Sequence, residues 1–218
     1  LREKPLGNWH PSWELIMVDW PRLISPVPKD APQPPKNRNG LQVEGRWAYR
    51  DSEGHVLKVK LRFPDKESGK VVLPYTLWES APGKLEWRQK DHPKPRPLYG
   101  LDQLERWPKA RVLVVEGEKT AEAAQSWFPD WVIMTSGSAT SSDSTDWHPL
   151  HGREVVCWPD HDEPGLRYAR DVKEALQGIA KWVEVVEVPE NFPHAWDLAD
   201  DPPEGWDGDR IRELLTML

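Results

Sequence analysis

Cysteine is almost missing from this chain: one residue, Cys157, in 218. A single thiol excludes an internal disulfide and a cysteine-rich zinc site, so no cysteine–histidine zinc module can be assembled. No window of about 18 apolar residues occurs, which argues against a membrane-spanning helix. The opening run Leu1-Arg2-Glu3-Lys4-Pro5 lacks the apolar centre of a signal peptide. With the lone thiol, this reads as a cytoplasmic protein. The first residue is not Met, so the sequence is expected to be a piece of a longer chain. A complete P-loop is also missing: Gly117-Glu118-Lys119-Thr120 ends like one but has no earlier Gly. Positive charge is in deficit. Lys and Arg number 29 against 36 Asp and Glu, a net charge of −7. That excludes a uniformly basic coat, though not local basic clusters that bind nucleic acid.

What is present is 38% hydrophobic and 30% charged residues, the balance of a soluble globular protein. Trp and Pro are abundant, at 14 and 23. Trp is expected to fill core and Pro to punctuate loops. The length suits one large domain or two small ones.

Three stretches differ in pattern. Residues 1–40 are Pro-rich, with Pro26, Pro28, Pro32, Pro34 and Pro35 close together. Pro fixes φ and cannot donate a backbone hydrogen bond, so an extended arm or linker is expected, with Trp9, Trp13 and Trp20 pinning its first half. Residues 41–105 read as a small basic β-rich subdomain. Strands are expected at 46–50, 55–63 and 71–75, with a turn at 51–54. In the second strand, period 2 places Lys58, Lys60 and Arg62 on one face. Further cations follow at Arg88, Lys90, Lys94 and Arg96.

From residue 106 the pattern becomes strand–helix alternation. Strands are expected at 112–115, 131–134, 154–158 and 181–188, and helices at 118–127, 164–177 and 209–217. The run Val112–Val115 is continuously apolar, as for a strand buried on both faces. The expected fold class is α/β, a mainly parallel sheet flanked by helices over residues 106–218.

Carboxylates fall just after these strands: Glu116 after the first, Asp160 and Asp162 after the third, Asp197 and Asp200 after the fourth. In open α/β sheets, ligands bind beyond the carboxyl ends of the strands, so all of them are expected at one edge. Clustered carboxylates repel one another unless a cation neutralises them. Oxygen-only donors suit a hard cation, Mg²⁺ or Mn²⁺, which retains waters that phosphate oxygens can replace. Taken singly, each piece has a plainer explanation: Asp-x-Asp is a common surface turn, and Glu at a strand end often caps a helix.

Three segments in order carry a family resemblance: Val114-Val115-Glu116-Gly117-Glu118-Lys119, then Thr135-Ser136-Gly137-Ser138, then Trp158-Pro159-Asp160-His161-Asp162-Glu163-Pro164-Gly165. Together they resemble the Toprim domain, and most of all the primase-like Toprim proteins of phages and plasmids. The tail Ala195-Trp196-Asp197-Leu198-Ala199-Asp200 is similar to theirs as well. More weakly, 47–63 and the segment leading into Leu98-Tyr99-Gly100-Leu101 resemble the basic subdomain that precedes Toprim in bacterial primases.

The resemblance implies a Toprim fold and metal-dependent nucleotidyl transfer: primer synthesis from nucleoside triphosphates on single-stranded DNA, with a helicase in cis or in trans. It implies Asp160 and Asp162 as metal ligands, Glu116 as a further ligand or general base, and Asp197 and Asp200 for a second metal. It implies Lys60, Arg62, Lys90, Lys94, Arg96 and Lys119 as contacts to nucleic acid or nucleotide. Two departures stand out. Thr120 replaces an Asp common in bacterial primases, and His161 stands between the two Asp. A Toprim nuclease and a non-catalytic nucleic-acid-binding module are the competing readings.

Overall fold

The structure, a computed structural model, describes residues 20–216. Trp9 and Trp13 lie outside the described residues. Two sheets organise the molecule, and they differ in strand direction and in how they are covered.

The first sheet is antiparallel. Its strands are β1 (Arg22–Ile24), β4 (Gly45–Arg50), β5 (Val56–Asp65), β6 (Gly69–Ala81) and β7 (Lys84–Arg88); a short separate ribbon of β2 (Asn37–Arg38) and β3 (Leu41–Gln42) lies between β1 and β4 in the chain. The order runs β1-β6-β5-β4, with β7 also pairing with β6. Turn chemistry sets these hairpins. Asp51 Oδ1 accepts from the backbone N–H of Glu53 and His55, and Gly54 takes φ 86°. Asp65 likewise accepts from Ser68, ahead of Gly69 at φ 75°.

Period 2 then sorts the faces. Val59, Leu61, Phe63 and Tyr75 form a core on one side, with Val43, Val56 and Trp87 packed against it. The described part of the Pro-rich stretch belongs to this sheet and does not stand off as an arm. Arg22–Ile24 pairs with Leu77–Glu79, Val27 N–H donates to Val56 O, and Trp87 Nε1 donates to Pro32 O. The other face carries Trp47, Tyr49, Lys58, Lys60 and Arg62. It looks toward the second sheet, where Tyr49 meets Tyr99 edge-on at 5.5 Å.

The second sheet is parallel, in the order β11-β10-β8-β9. Its elements follow a short helix, α1 (Leu101–Arg106). They are β8 (Val112–Val114), α2 (Glu118–Trp127), β9 (Val132–Met134), β10 (Glu154–Cys157), α3 (Glu163–Ala175), β11 (Trp182–Val185) and α4 (Gly208–Thr216). Strands β8, β9 and β10 are apolar and buried throughout, apart from Glu154. Helix α3 buries Gly165, Tyr168, Ala169 and Val172, an i, i+3, i+4, i+7 stripe. Two cores lie on opposite faces of this sheet: one around Leu113, Val156 and Trp158, the other around Val112, Val114 and Val155. The architecture is therefore a mixed α/β fold with a parallel four-stranded sheet flanked by helices, plus an antiparallel β-rich part. No helix among the described residues is long and apolar enough to cross a membrane.

Candidate active site

Beyond the carboxyl ends of β8 and β10, neighbours in the sheet, the chain turns at Glu116 and at Asp160. The first turn is fixed from β9: Thr135 Oγ1 donates to Glu116 O at 2.7 Å and accepts from Gly137 N–H at 2.8 Å. The second is fixed by helix α3. Asp162 is its N-cap, accepting from Gly165 N–H at 2.8 Å, and Pro164 sits in the first turn. Gly165 lies so close to the Asp160 backbone that a Cβ there would overlap it. A third loop is brought in by two backbone bonds, His161 N–H to Trp196 O and Ala195 N–H to His161 O, each 2.9 Å. Asp197 then closes a small turn, its Oδ1 accepting from Ala199 N–H.

Glu116, Asp160 and Asp197 line one cleft of about 300 Å³ together with Lys119, Gly137 and Ser138. The opposite wall comes from the β-rich sheet: Trp47, Arg62, Lys70 and Val72. Burial, with Glu116, Asp197, Asp162 and Asp200 nearby, pushes the Asp160 carboxyl up to about 8. Burial, with Asp162 and Asp197, likewise raises Glu116 above the usual carboxylate range. Among the described residues, Asp160 Oδ1 is buried with no hydrogen-bond partner; Arg62 Nε in the facing wall also makes no hydrogen bond, its nearest acid being Glu44 at 3.7 Å. Among the described residues, no three His, Cys, Asp or Glu side chains are gathered closely enough to hold a metal ion together. The donor chemistry still fits a hard divalent cation: oxygen only, partly buried, with one orphaned carboxylate oxygen.

The remaining expected residues fall into distinct settings. Asp162 spends one oxygen on its helix cap and does not line the cleft. Asp200 is exposed and bonds back to Asp197 N–H at 3.1 Å. Lys60, expected to meet nucleic acid, is buried: its ammonium lies 2.7 Å from Glu118 Oε1 and 2.7 Å from Gly137 O. Arg96, expected in the same role, is half-buried; it pairs with Asp91 at 3.1 Å and donates to Ser144 Oγ. Lys58 is fully buried on Asp91 at 2.7 Å. Burial alone would raise the Asp91 carboxyl, but Lys58, the His92 N–H and Arg96 outweigh it and hold it below its ordinary value. Lys90 is exposed, with its ammonium 4.3 Å from the Trp78 ring centre. Lys94 is exposed and outside the cleft.

Glu118, Tyr49 and Gly137 were missed by the sequence reading. Tyr49 Oη donates to Glu118 Oε1, and burial first, then Glu118, lifts the phenol well above its ordinary value. One signal was available: Tyr49 and Trp47 alternate onto the face that holds Lys60. A larger cleft, about 560 Å³, opens between Ala48, Tyr99, Gln103, Glu122 and Trp131. It contains none of Glu116, Asp160, Asp162, Asp197 and Asp200, so chemistry and not size selects the smaller one.

Fold and cleft thus define a mixed α/β protein with an acidic edge faced by a basic β-rich wall. Residues 44–161 match a family described as Domain of unknown function (DUF6371), and the chain, more than half of it matched, belongs to that family. No curated protein matches. Among solved structures, the DnaG primase catalytic domain bound to ssDNA is 16% identical, covering 79% of this chain and 50% of that one, with TM-score 0.47. A chain from the bacteriophage T7 complex of lagging-strand DNA polymerase with primase domains of two gp4 subunits is 21% identical, covering 70% and 68%, TM-score 0.48. The Aquifex aeolicus primase, with its zinc-binding and RNA polymerase domains, is 16% identical, covering 89% and 43%, TM-score 0.48. The chain spans about half the length of the DnaG catalytic domain it matches.

Proposed function

We propose that this is a Toprim-type, metal-dependent nucleotidyltransferase that makes primers from nucleoside triphosphates on a single-stranded DNA template. One observation carries the reading. In a single cleft, a buried carboxylate oxygen with no hydrogen-bond partner among the described residues (Asp160 Oδ1) faces a wall that holds Arg62, whose Nε makes no hydrogen bond there and only a 3.7 Å ion pair with the half-exposed Glu44. An acceptor that lacks a cation and a loosely paired guanidinium, in one cleft, match the two halves of a metal-bound phosphate. To hold Mg²⁺ or Mn²⁺, Glu116, Asp160 and Asp197 would draw in around the cation, with the second oxygen of Asp162 turned toward it. When bound, the metal supplies neutralisation of charge at the reacting phosphorus. Arg62 and Lys119 would hold phosphate oxygens, and Glu116 would either complete the metal site or accept the proton of the attacking hydroxyl. A helicase in the full-length protein or as a separate partner, and a phage or plasmid setting, belong to this proposal on the sequence resemblance alone.

The test is incorporation of labelled ribonucleotides on single-stranded DNA with Mg²⁺ or Mn²⁺, run beside a cleavage assay on the same template. Incorporation by the natural protein and a loss of at least about 100-fold in Asp160→Asn support the reading. Template cleavage without incorporation would replace it with the nuclease. Neither activity, together with no Mn²⁺ binding by calorimetry, would leave a non-catalytic module.

A further inference from the structure

The cleft has walls from two sheets, and something must fix the distance between them. The Lys60 ammonium, on β5, crosses from one to the other with two contacts, 2.7 Å from Glu118 Oε1 and 2.7 Å from Gly137 O. Tyr49, its neighbour on the same sheet face, adds a third bond to Glu118. Lys60, Glu118 and Tyr49 are all buried. Both contacted residues line the cleft themselves: Glu118 follows Glu116 by two positions at the start of α2, and Gly137 precedes Ser138. Arg62 is two residues from Lys60 on the same strand face.

We propose that Lys60 is a positioning residue for the acidic cleft: through Glu118 and the Gly137 carbonyl it ties the Glu116 loop and the Gly137–Ser138 loop to β5, and so sets Arg62 opposite the carboxylates. This rests on the metal-binding reading given above. An ammonium has three donors, enough to serve a carboxylate and a carbonyl at once, where an apolar side chain would fill the space without fixing either loop. Gly137 carries the complementary constraint. It takes φ 102°, and a Cβ there would run into Lys60 Nζ and Tyr49 Oη. Only a residue without a side chain lets the amine reach the carbonyl. The helix cap and the backbone bonds already hold the Asp160 turn from its own side. The Glu116 turn is held from its own sheet by Thr135 and, through Glu118, from the facing sheet as well.

The experiment compares the natural protein with Lys60→Met and Tyr49→Phe, all kept well below their own unfolding midpoints. Mn²⁺ affinity is read by calorimetry, and hydrogen exchange at the amides of residues 116–118 and 136–139 by mass spectrometry. Lys60→Met is expected to weaken Mn²⁺ by about 10-fold or more, the usual effect of removing a group that orients metal ligands. It should also speed exchange in both loops, and Tyr49→Phe should do the same to a smaller degree. Unchanged affinity and unchanged exchange in folded Lys60→Met would overturn the proposal. If Lys60→Met does not fold, Tyr49→Phe, which removes one hydroxyl, decides by the same two readouts. If the natural protein binds no Mn²⁺, the metal reading fails, and loop exchange alone judges the clamp.

Discussion

The two sheets treat buried charge in opposite ways. In the antiparallel sheet, each buried cation has an acid: Lys58 on Asp91 and Lys60 on Glu118. At the edge of the parallel sheet, Asp160 lies within the field of other carboxylates, and its Oδ1 has no hydrogen-bond partner among the described residues. Both arrangements cost desolvation, but only the first recovers it within the chain. Paired buried charges fix geometry, whereas unpaired ones store a demand that a ligand can meet.

Removing one partner from the paired side should have the largest effect. Glu118→Leu leaves the buried Lys60 ammonium without its acid and should cost about 3–5 kcal/mol in urea unfolding, while Lys60→Met with Glu118→Leu should recover most of it. A single-variant cost below about 1 kcal/mol would erase the contrast between the sheets.

The unpaired side should show itself through pH. The folded value of Asp160, about 8, lies above the ordinary 3.8, so the folded state binds this proton more tightly than the unfolded chain does. The associated stability is complete below pH about 4 and is lost as pH climbs toward about 8. In chelator, the slope should reach about 1.4 kcal/mol per pH unit, and Glu116 acts in the same direction. Asp160→Asn should flatten the curve, as should added Mg²⁺. A flat profile for the natural protein in chelator would show that the edge is not strained.

A smaller effect is expected where the sheets face each other. Arg62→Ala should weaken binding of single-stranded DNA and lower the salt slope by about one phosphate contact, with Mn²⁺ affinity nearly intact. A slope equal to that of the natural protein would return Arg62 to an ordinary sheet residue. Least of all, Lys94→Ala, exposed and outside the cleft, should shift stability by no more than about 0.5 kcal/mol. A large loss of DNA affinity in that variant would extend the nucleic-acid surface beyond the cleft.

Much of the parallel sheet was legible because its signals are local. Val112–Val115 could only be a doubly buried strand, and Gly117 followed by Glu118–Trp127 gave helix α2 with the bounds observed. The gathering of Glu116 and Asp160 followed from strand-end placement, since adjacent parallel strands must end on the same side. The β-rich half was harder to read. Strand β1 is three residues hidden among prolines, and β7, Lys-Leu-Glu-Trp-Arg, alternates apolar and charged residues over only five positions, too short a run to stand out. Helix α1 spans only six residues, and none of them is buried. Period 2 placed Lys58, Lys60 and Arg62 together, but it could not reveal which face the rest of the chain would cover. Their partners, Asp91 and Glu118, come from distant segments, so cations that look solvated in sequence become internal fasteners.

The described Pro-rich segment also determines where this chain can be cut. A fragment beginning at residue 44 would retain every carboxylate and cation of the cleft. It would lose the β1 pairing with Leu77–Glu79, the Pro32 carbonyl that holds the Trp87 indole, and the backbone bond that caps Val56. The apolar side of the sheet around Val59 and Tyr75 would then meet water, on the same strands that carry Lys60 and Arg62 on their reverse. The smallest piece that contains the site is thus shorter than the smallest piece that can hold it in shape.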